Sequence, residues 1–245
     1  RRDRHDALLA GWREGCIDAG ATWGGGESPS LPGLVQAQDI ELAGSAVGMV
    51  PEGRAAILGA DLAPGDEIVL VASSGLHANG SSLARAVADR LEHGYATPLP
   101  GGRPFGEALL DRSVLYVGLV RALLASRIDV HYLSHITGHG LLKLMRARRE
   151  LTYRVSWLPS VPEVLQFLVE QAGMAPAAAY QTVNMGSGFA VYCAAGEGEE
   201  AVRLASEHGL RAGVAGAVEE GPRRVVLEPI DVVFESGDMD LAPSG

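Results

Sequence analysis

The chain alternates between short apolar runs and amphipathic stretches, and turns rich in glycine and proline separate them. The segment 67–72 is apolar at nearly every position, which predicts a strand buried on both faces. Further strands are predicted over 40–50, 129–134, 151–157, 189–194, 211–218 and 223–228. Helical spacing of apolar residues predicts helices over 6–20, 82–91, 113–126, 138–148, 161–172 and 197–208. Alternating strands and helices predict an α/β fold of mixed α+β type, built in layers.

A turn at Pro51, Glu52 and Gly53 interrupts this pattern and predicts a domain boundary. We expect a first domain over 1–54 and a second over 55–235, a division that suits 245 residues. The segment 236–245 is expected to be a disordered tail. The chain has no initiator Met and its first residues lack the apolar run of a signal peptide. We therefore expect it to begin part-way through a larger protein, or to be processed or trimmed.

The charge balance disfavours one class of partner. Lys and Arg number 20 against 30 Asp and Glu, which gives a formal net charge of −10. Nucleic-acid binding depends on clustered cations, so we expect no nucleic-acid partner. The basic cluster of the chain is expected to form the exposed face and C-terminal end of a helix. Its members are Lys143, Arg146, Arg148 and Arg149.

No apolar run approaches the roughly 18 residues that a membrane-spanning helix needs. Cys16 and Cys193 lie far apart in apolar surroundings, which predicts buried free thiols instead of a disulfide framework. We therefore expect a cytoplasmic protein without a membrane partner.

Residues 73–80 carry the strongest candidate chemistry. They join the predicted strand 67–72 to a helix, so their backbone N–H groups can form a concave anion site at a helix N-terminus. Gly75 and Gly80 allow close approach of a ligand, and His77 is the one side chain here whose proton can move near neutral pH. The alternative is a tight turn in which Ser74 and Asn79 only cap the backbone.

Three other segments have a similar polar and glycine-rich character. Residues 131–140 contain three histidines, but no carboxylate or cysteine accompanies them, so a second phosphate-facing turn at Thr137 and Gly138 is preferred to a metal site. Residues 184–188 lead into a strand, and the alternative there is a bulge that only glycine fits. In 24–28, Glu27 follows three glycines and could hold Mg²⁺ near phosphates, or be a solvated acid on an exposed hairpin. None of the four is a Walker A loop or a Rossmann fingerprint.

Taken together and in order, these segments resemble the aminoimidazole ribonucleotide synthetase family, the phosphoribosylformylglycinamidine cyclo-ligases. The family motif S-S-G-x-H-S-N-G-Y-S-L matches 73–83 except at Ala78 and Ser81. The motif A-H-[IL]-T-G-G-G is similar to 134–140, where His139 replaces a glycine. Weaker matches are G-G-E-T at 25–28, M-P-G at 31–33, D-Y-D-[LV]-A-G at 39–44, P-E-[VL]-F at 162–165 and N-M-G-[IV]-G at 184–188. The resemblance runs from about residue 6 to residue 228.

The resemblance implies a fold of two α/β domains, here a partial N-terminal domain that binds ATP and dimerises and a complete C-terminal domain. It also implies a homodimer, a small ribonucleotide substrate, ATP and Mg²⁺, and ATP-dependent closure of the imidazole ring of formylglycinamidine ribonucleotide in purine biosynthesis. His77 is then the candidate catalytic residue and Glu27 the candidate metal ligand. The candidate substrate and phosphate contacts are Ser74, Gly75, Asn79, Gly80, His135, Thr137, Gly138 and Asn184.

The sequence also departs from the family pattern. The acidic segments D-G-V-G-T-K and N-D do not occur in the chain, and they would lie upstream of Arg1. We therefore expect the chain by itself to be an incomplete catalyst. Ser81 and His139 leave open a divergent relative that acts as a different ATP-dependent kinase or synthetase, and a non-catalytic paralogue is also open.

Overall fold

The computed structural model describes residues 2–29, 31–36, 40–50 and 52–239. The chain divides into two compact units, Arg1–Ala56 and Ile57–Gly245. The predicted boundary lay between 54 and 55, and Pro51 of the predicted turn lies outside the described residues. None of the helices among the described residues is long and apolar enough to cross a membrane.

In the first unit one regular element is described, helix α1 (Arg2–Asp18), which agrees with the predicted helix at 6–20. The predicted strand over 40–50 is wrong. These residues form no helix or strand, and Val47 and Met49 are 98% and 94% exposed. A strand needs a partner on its hydrogen-bonding edge, and the described part of this unit offers no strand to pair with it. Asp39, the first residue of the matched 39–44 motif, lies outside the described residues.

The second unit is built on a seven-stranded sheet in the order β2-β4-β1-β5-β3-β6-β7. Neighbouring strands are antiparallel except β3 and β6, which are parallel. The strands are β1 (Glu67–Ala72), β2 (Val130–His135), β3 (Leu151–Val155), β4 (Ser187–Cys193), β5 (Ala212–Glu220), β6 (Arg224–Leu227) and β7 (Val232–Glu235). Together with the helices, this sheet confirms the predicted mixed α/β class.

Among the described residues of this unit, the α-helices that accompany the sheet are α2 (Ser81–Ala88), α3 (Phe105–Leu109), α4 (Val117–Ala125), α5 (Glu163–Gln171), α6 (Pro176–Thr182) and α7 (Gly198–Glu207). Short 3-10 helices cover Gly94–Ala96, Gly140–Met145, Glu228–Ile230 and Ser236–Met239. The last of these lies at the start of the segment predicted as a disordered tail, and residues 240–245 lie outside the described residues.

Strand β1 is central because both of its faces are apolar. Ile68 and Leu70 pack into the core on one face, while Val69 and Val71 belong to a separate core on the other face. Successive side chains of a strand point to opposite faces, so this uninterrupted apolar run can only be satisfied by cover on both sides. Burying each such side chain contributes roughly 1.5–3 kcal/mol. The core position of β1 fixes where its polar C-terminal continuation, residues 73–80, emerges.

The predicted helix at 138–148 is replaced by the shorter 3-10 helix Gly140–Met145. Both His139 and Gly140 have positive φ, 72° and 49°, which a continuous right-handed helix excludes. Gly140 also packs so closely that a Cβ would come within 2.0 Å of the Tyr180 carbonyl oxygen. Helices α3 and α6 and strand β7 were not predicted, because segments of five, seven and four residues are too short for a period to emerge.

Candidate active site

Three of the four polar segments converge at one end of the sheet. β4 pairs antiparallel with both β1 and β2, and it places Ser187 opposite Ala72 and Phe189 opposite His135. The start of β4 therefore lies beside the ends of β1 and β2. As a result, segments 73–80, 134–140 and 184–188 meet at this end, which we call the site edge.

Asn184 ties two of these segments together. Its Oδ1 accepts hydrogen bonds from Ser73 Oγ at 2.7 Å and from the Gly186 N–H at 3.0 Å. Its Nδ2 donates to the carbonyl oxygens of Gly75 at 2.8 Å and Leu76 at 3.3 Å. Asn184 is fully buried. The buried Asn184 amide thus holds the 73–80 loop, and its contact with substrate stays a prediction.

His77 is held by its Nε2 atom. The N–H groups of Ser74 and Val114 lie 3.1 and 3.4 Å from Nε2. A backbone N–H can only donate, so Nε2 carries the lone pair and the neutral ring carries its proton on Nδ1. Ser74 Oγ lies 2.9 Å from Nε2 and donates to the Arg112 carbonyl oxygen at 2.7 Å. His77 Nδ1 is buried and has no hydrogen-bond partner within the described structure. A buried N–H donor that has no partner among the described residues thus lies at the site edge.

Aromatic and imidazole rings pack around this donor. The ring centroid of Tyr116 lies 6.4 Å from that of His77, 5.9 Å from His135 and 5.1 Å from Phe189. Tyr116 Oη donates to the Ala72 carbonyl oxygen at 2.9 Å, which fixes the ring against the end of β1. Burial raises the pKa of Tyr116 well above its ordinary value, so its hydroxyl stays protonated.

Two histidines of the site edge, His77 and His135, have pKa values that favour their neutral forms. Burial, and after it the charge of His135, lowers the pKa of His77. Burial, and after it the charge of Lys143, lowers the pKa of His135. Both shifts disfavour the imidazolium. At neutral pH, His77 therefore offers a hydrogen-bond donor and not a positive charge.

Backbone strain concentrates in the same segments. Four non-glycine residues of the described chain have positive φ, and three of them, His77, His139 and Met185, lie one in each converging segment. Each such residue costs of order 1–3 kcal/mol and persists only where surrounding contacts fix it. The strained turns give all three segments sharp reversals at the site edge.

The remaining predicted contacts differ in how open they are. Asn79 Nδ2 donates to the Thr182 carbonyl oxygen at 2.6 Å, and its Oδ1 is buried without a partner among the described residues. Gly80 has φ 100° where helix α2 begins, so this position favours glycine. At Gly138 a Cβ would meet no atom within 4 Å. Gly138 is therefore open to a ligand, whereas Asn79 and Gly80 also shape the loop.

Lys143 lies at the site edge, where the sequence pattern did not place it. It was expected on the exposed face of a helix, but it is half-buried in the 3-10 helix Gly140–Met145 and its Nζ donates to Thr137 Oγ1. The helical period used for the prediction does not apply to a 3-10 helix that starts from two left-handed residues. The signal that could have identified Lys143 was the presence of a basic residue close in sequence to the predicted turn at Thr137.

Glu27 lies in the first unit, exposed and outside any helix or strand. Across the described ranges, no three His, Cys, Asp or Glu side chains converge as a metal site would require. Mg²⁺ is bound by oxygen ligands, chiefly carboxylates. The residues that are described therefore do not fit a complete Mg²⁺ site, and the role of Glu27 stays a prediction.

His131, the first histidine of 131–140, lies away from this chemistry. Its Nδ1 is 2.8 Å from Asp66 Oδ2 and its Nε2 is 3.2 Å from Asp129 Oδ2. Asp66 is buried and also accepts a hydrogen bond from the Ala63 N–H at 2.9 Å. His131 thus links β2 to the turn before β1.

The family model for the C-terminal domain of AIR synthase related proteins matches residues 63–228, about two thirds of the chain and nearly all of the sheet. The chain belongs to this AIR synthase related family. This confirms the resemblance found in the motifs, and it places the site edge within the family's C-terminal domain.

Proteins named phosphoribosylformylglycinamidine cyclo-ligase are similar to this AIR synthase related chain. That of Methanothermobacter thermautotrophicus is 36% identical over 206 residues, which cover 83% of this chain and 59% of that protein. That of Symbiobacterium thermophilum is 37% identical over 235 residues, 91% of this chain and 65% of that protein. The chain thus spans less than two thirds of these relatives. Among solved structures, the hydrogenase maturation protein HypE of E. coli matches 75% of this chain and 52% of its own, with 20% identity and a TM-score of 0.47.

Proposed function

We propose that this chain forms the substrate-facing part of a phosphoribosylformylglycinamidine cyclo-ligase, which uses ATP to close the imidazole ring of formylglycinamidine ribonucleotide. The observation that carries the proposal is the identity of 32–37% with four proteins of that name over 83–91% of the chain. The convergence of three glycine-rich segments at one edge of the sheet supports it, because the reaction needs two ends of one substrate held together.

The proposed reaction has two steps. The formyl amide oxygen attacks the terminal phosphorus of ATP, and the bond to ADP breaks. The amidine nitrogen then attacks the former formyl carbon, the carbon–oxygen bond breaks, and phosphate leaves with that oxygen as the ring loses a proton. Both steps build negative charge on oxygens, so donors placed in advance around those oxygens are the main requirement.

His77 meets part of that requirement. Its neutral ring has Nε2 engaged by two backbone N–H groups and presents Nδ1–H without a partner in the described structure. We assign it to polarising a substrate oxygen by donation, and not to abstracting a proton, because its lone pair is already used. Ser74 fixes the ring orientation by its N–H, while Gly75 and Gly80 allow the tight loop. The open turn at Thr137 and Gly138 is assigned to phosphate contact.

ATP enters the proposal as the phosphoryl donor. We assign no step to Mg²⁺, because the described residues do not assemble a carboxylate site for it. Homodimerisation and a cytoplasmic location stay predictions, and sedimentation of the purified protein measures the first.

The test uses the intact protein that contains this chain. Phosphate release from ATP is measured with and without formylglycinamidine ribonucleotide, and the aminoimidazole product is measured by diazo coupling. We expect release and product to appear together and to require the ribonucleotide. Release without the ribonucleotide, or no release from a folded protein, contradicts the proposal.

A further inference from the structure

Lys143 is the only lysine in the chain. Of the 20 basic residues counted as Lys or Arg, the other 19 are arginine. An arginine presents a broad planar fork that stays charged, whereas a lysine presents a compact ammonium with three rotatable donors. Lys143 is thus the one position of the chain that presents an ammonium group from a side chain.

The position of Lys143 relative to the site edge is fixed from both sides. Its backbone carbonyl oxygen accepts a hydrogen bond from Ser134 Oγ at 2.9 Å, which joins the 3-10 helix to β2. Its ammonium donates to Thr137 Oγ1, in the turn that follows β2. The side chain is half-buried, and within the described structure it forms no ion pair with a carboxylate. A partly buried cation that lacks a counter-charge is costly unless an anion approaches it.

Lys143 interacts electrostatically with Arg146 and with His135, and His135 interacts with His77. Burial, and after it the charge of Arg146, lowers the pKa of Lys143. Burial, and after it the charge of Lys143, lowers the pKa of His135, while burial, and after it the charge of His135, lowers the pKa of His77. No carboxylate contributes to any of these three shifts. Because His77 and His135 are neutral at neutral pH, the positive potential here comes from Lys143 and Arg146, in a chain of net charge −10.

We propose that Lys143 and Thr137 bind a phosphoryl group of a substrate at the site edge. The open turn at Gly138 leaves room for its oxygens, since a Cβ there would meet no atom within 4 Å. Arg146 adds positive potential beside it. An incoming phosphoryl oxygen accepts the Lys143 N–H that Thr137 Oγ1 now accepts, and Thr137 then donates its own hydroxyl to a second oxygen. This inference rests on the proposed function only for the source of the phosphoryl group, which is either the ribonucleotide or ATP.

The single lysine makes a direct measurement possible. The full chain, labelled with ¹³C-lysine, gives one side-chain Cε signal in NMR spectra. Inorganic phosphate is the first probe, and formylglycinamidine ribonucleotide and ATP are titrated separately to identify the source. We expect phosphate to move the Cε signal and to raise the pKa of Lys143 toward its ordinary value. A signal that none of the three probes moves overturns the proposal.

Two variants distinguish the contribution of the Lys143 ammonium to phosphate binding from that of overall positive charge. Lys143→Met is expected to weaken phosphate binding by about tenfold to a hundredfold, which corresponds to the loss of one or two charge-assisted hydrogen bonds. Arg148→Met removes one positive charge from an exposed neighbour in the same segment and is expected to leave binding unchanged. Equal losses in the two variants mean that net charge alone attracts the anion, and they overturn the proposal.

The outcomes also separate this inference from the proposed function. If Lys143→Met raises the KM of the intact enzyme for one substrate while kcat changes less, the inference holds and the substrate that bears the phosphoryl group is identified. If ring closure proceeds unchanged in Lys143→Met, the inference fails and the proposed function stands. If the chain binds phosphate through Lys143 but the intact protein closes no ring, the proposed function fails and the inference stands.

Discussion

Gly188 and Tyr116 approach so closely that no other residue fits at 188: a Cβ built there would lie 1.8 Å from Tyr116 Oη and 3.3 Å from His77 Cε1. The tyrosine is fixed in turn by its hydrogen bond to the Ala72 carbonyl oxygen. Gly188, at the start of β4, thus determines how the rings of the site edge pack. This effect depends on the tertiary contact with Tyr116 and is not visible in the sequence.

We predict that Gly188→Ala displaces the Tyr116 ring and lowers the free energy of unfolding by about 1–3 kcal/mol, the usual cost of overpacking. Tyr116→Phe removes the atom nearest to the new methyl group and the hydrogen bond to Ala72, which by itself costs about 1 kcal/mol. Chemical denaturation of both single variants and the double variant measures the coupling. The double variant is expected to lose less than the sum of the two single losses.

Gly138→Ala is the matched stability control for the Gly188 and Tyr116 variants, because its new methyl group would meet open space at the same edge. Its free energy of unfolding is expected to match that of the unmodified chain. Strict additivity of the Gly188 and Tyr116 losses would contradict the close approach described above.

Asn184→Ala is predicted to be more destabilising than Asn79→Ala. Asn184 makes two accepted and two donated hydrogen bonds in the interior, whereas Asn79 makes one, to Thr182. Loss of the Asn184 amide leaves buried partners unsatisfied, and we expect a cost of roughly 2–4 kcal/mol against about 1 kcal/mol at Asn79. Denaturant titration measures both. A smaller loss at Asn184 than at Asn79 would disprove its role as the tie between the two segments.

His131 is predicted to make stability depend on pH. Burial acts to lower its pKa, but the bonds to Asp66 and Asp129 outweigh burial, and the pKa of His131 is raised. A raised pKa means that the folded protein favours the imidazolium, so the stabilisation is complete below the ordinary value of about 6.5. It is lost as the pH rises through the raised pKa. His131→Gln should therefore reduce the free energy of unfolding more at about pH 5.5 than at about pH 9.

His77 and His135 at the site edge are expected to make stability depend on pH in the opposite direction. His77 and His135 have lowered pKa values, so they destabilise the fold as the pH falls below about 6.5. The comparison of His131→Gln with the parent chain at each pH cancels this background. If the difference in free energy of unfolding between the two proteins grew with rising pH, the stabilising role of the His131 imidazolium would be refuted.

Turnover of the intact enzyme is predicted to be limited on the acid side by the site histidines. Because burial lowers the pKa of His77, kcat/KM should hold from neutral pH down to about 6.5 and fall only below it. His77→Ala should lower kcat because the Nδ1 donor is lost. It should also lower the melting temperature, because the N–H groups of Ser74 and Val114 lose Nε2 as their acceptor. His93→Ala, at an exposed histidine away from the site edge, is the control. An acid limb above pH 7, or an unchanged kcat in His77→Ala, contradicts the role of His77.

The sequence by itself determined the elements that depend on local pattern. The apolar run of β1 predicted a doubly buried strand because side chains alternate between two faces, and both faces are indeed covered. The order of the glycine-rich segments also indicated the family, since turns that need glycine leave a residue-level signature. The pattern failed at 40–50, where an apolar run predicted a strand but the described first unit provides no strand to pair with.

The tertiary structure alone decided which polar side chains are fully used in holding the fold and which keep an unpaired polar atom. Asn184 and His77 both lie in glycine-rich turns, yet the pairing of β4 with β1 buries the first and leaves Nδ1 of the second without a partner among described residues. The sequence pattern placed Lys143 on the exposed face of a helix. In the structure, the positive φ angles of His139 and Gly140 exclude that helix, and Lys143 lies in a 3-10 helix beside Thr137. Strand pairing and sharp turns of the backbone bring together residues that are far apart in sequence. The role of a polar residue at this edge therefore follows from its neighbours in space and not from its neighbours in the chain.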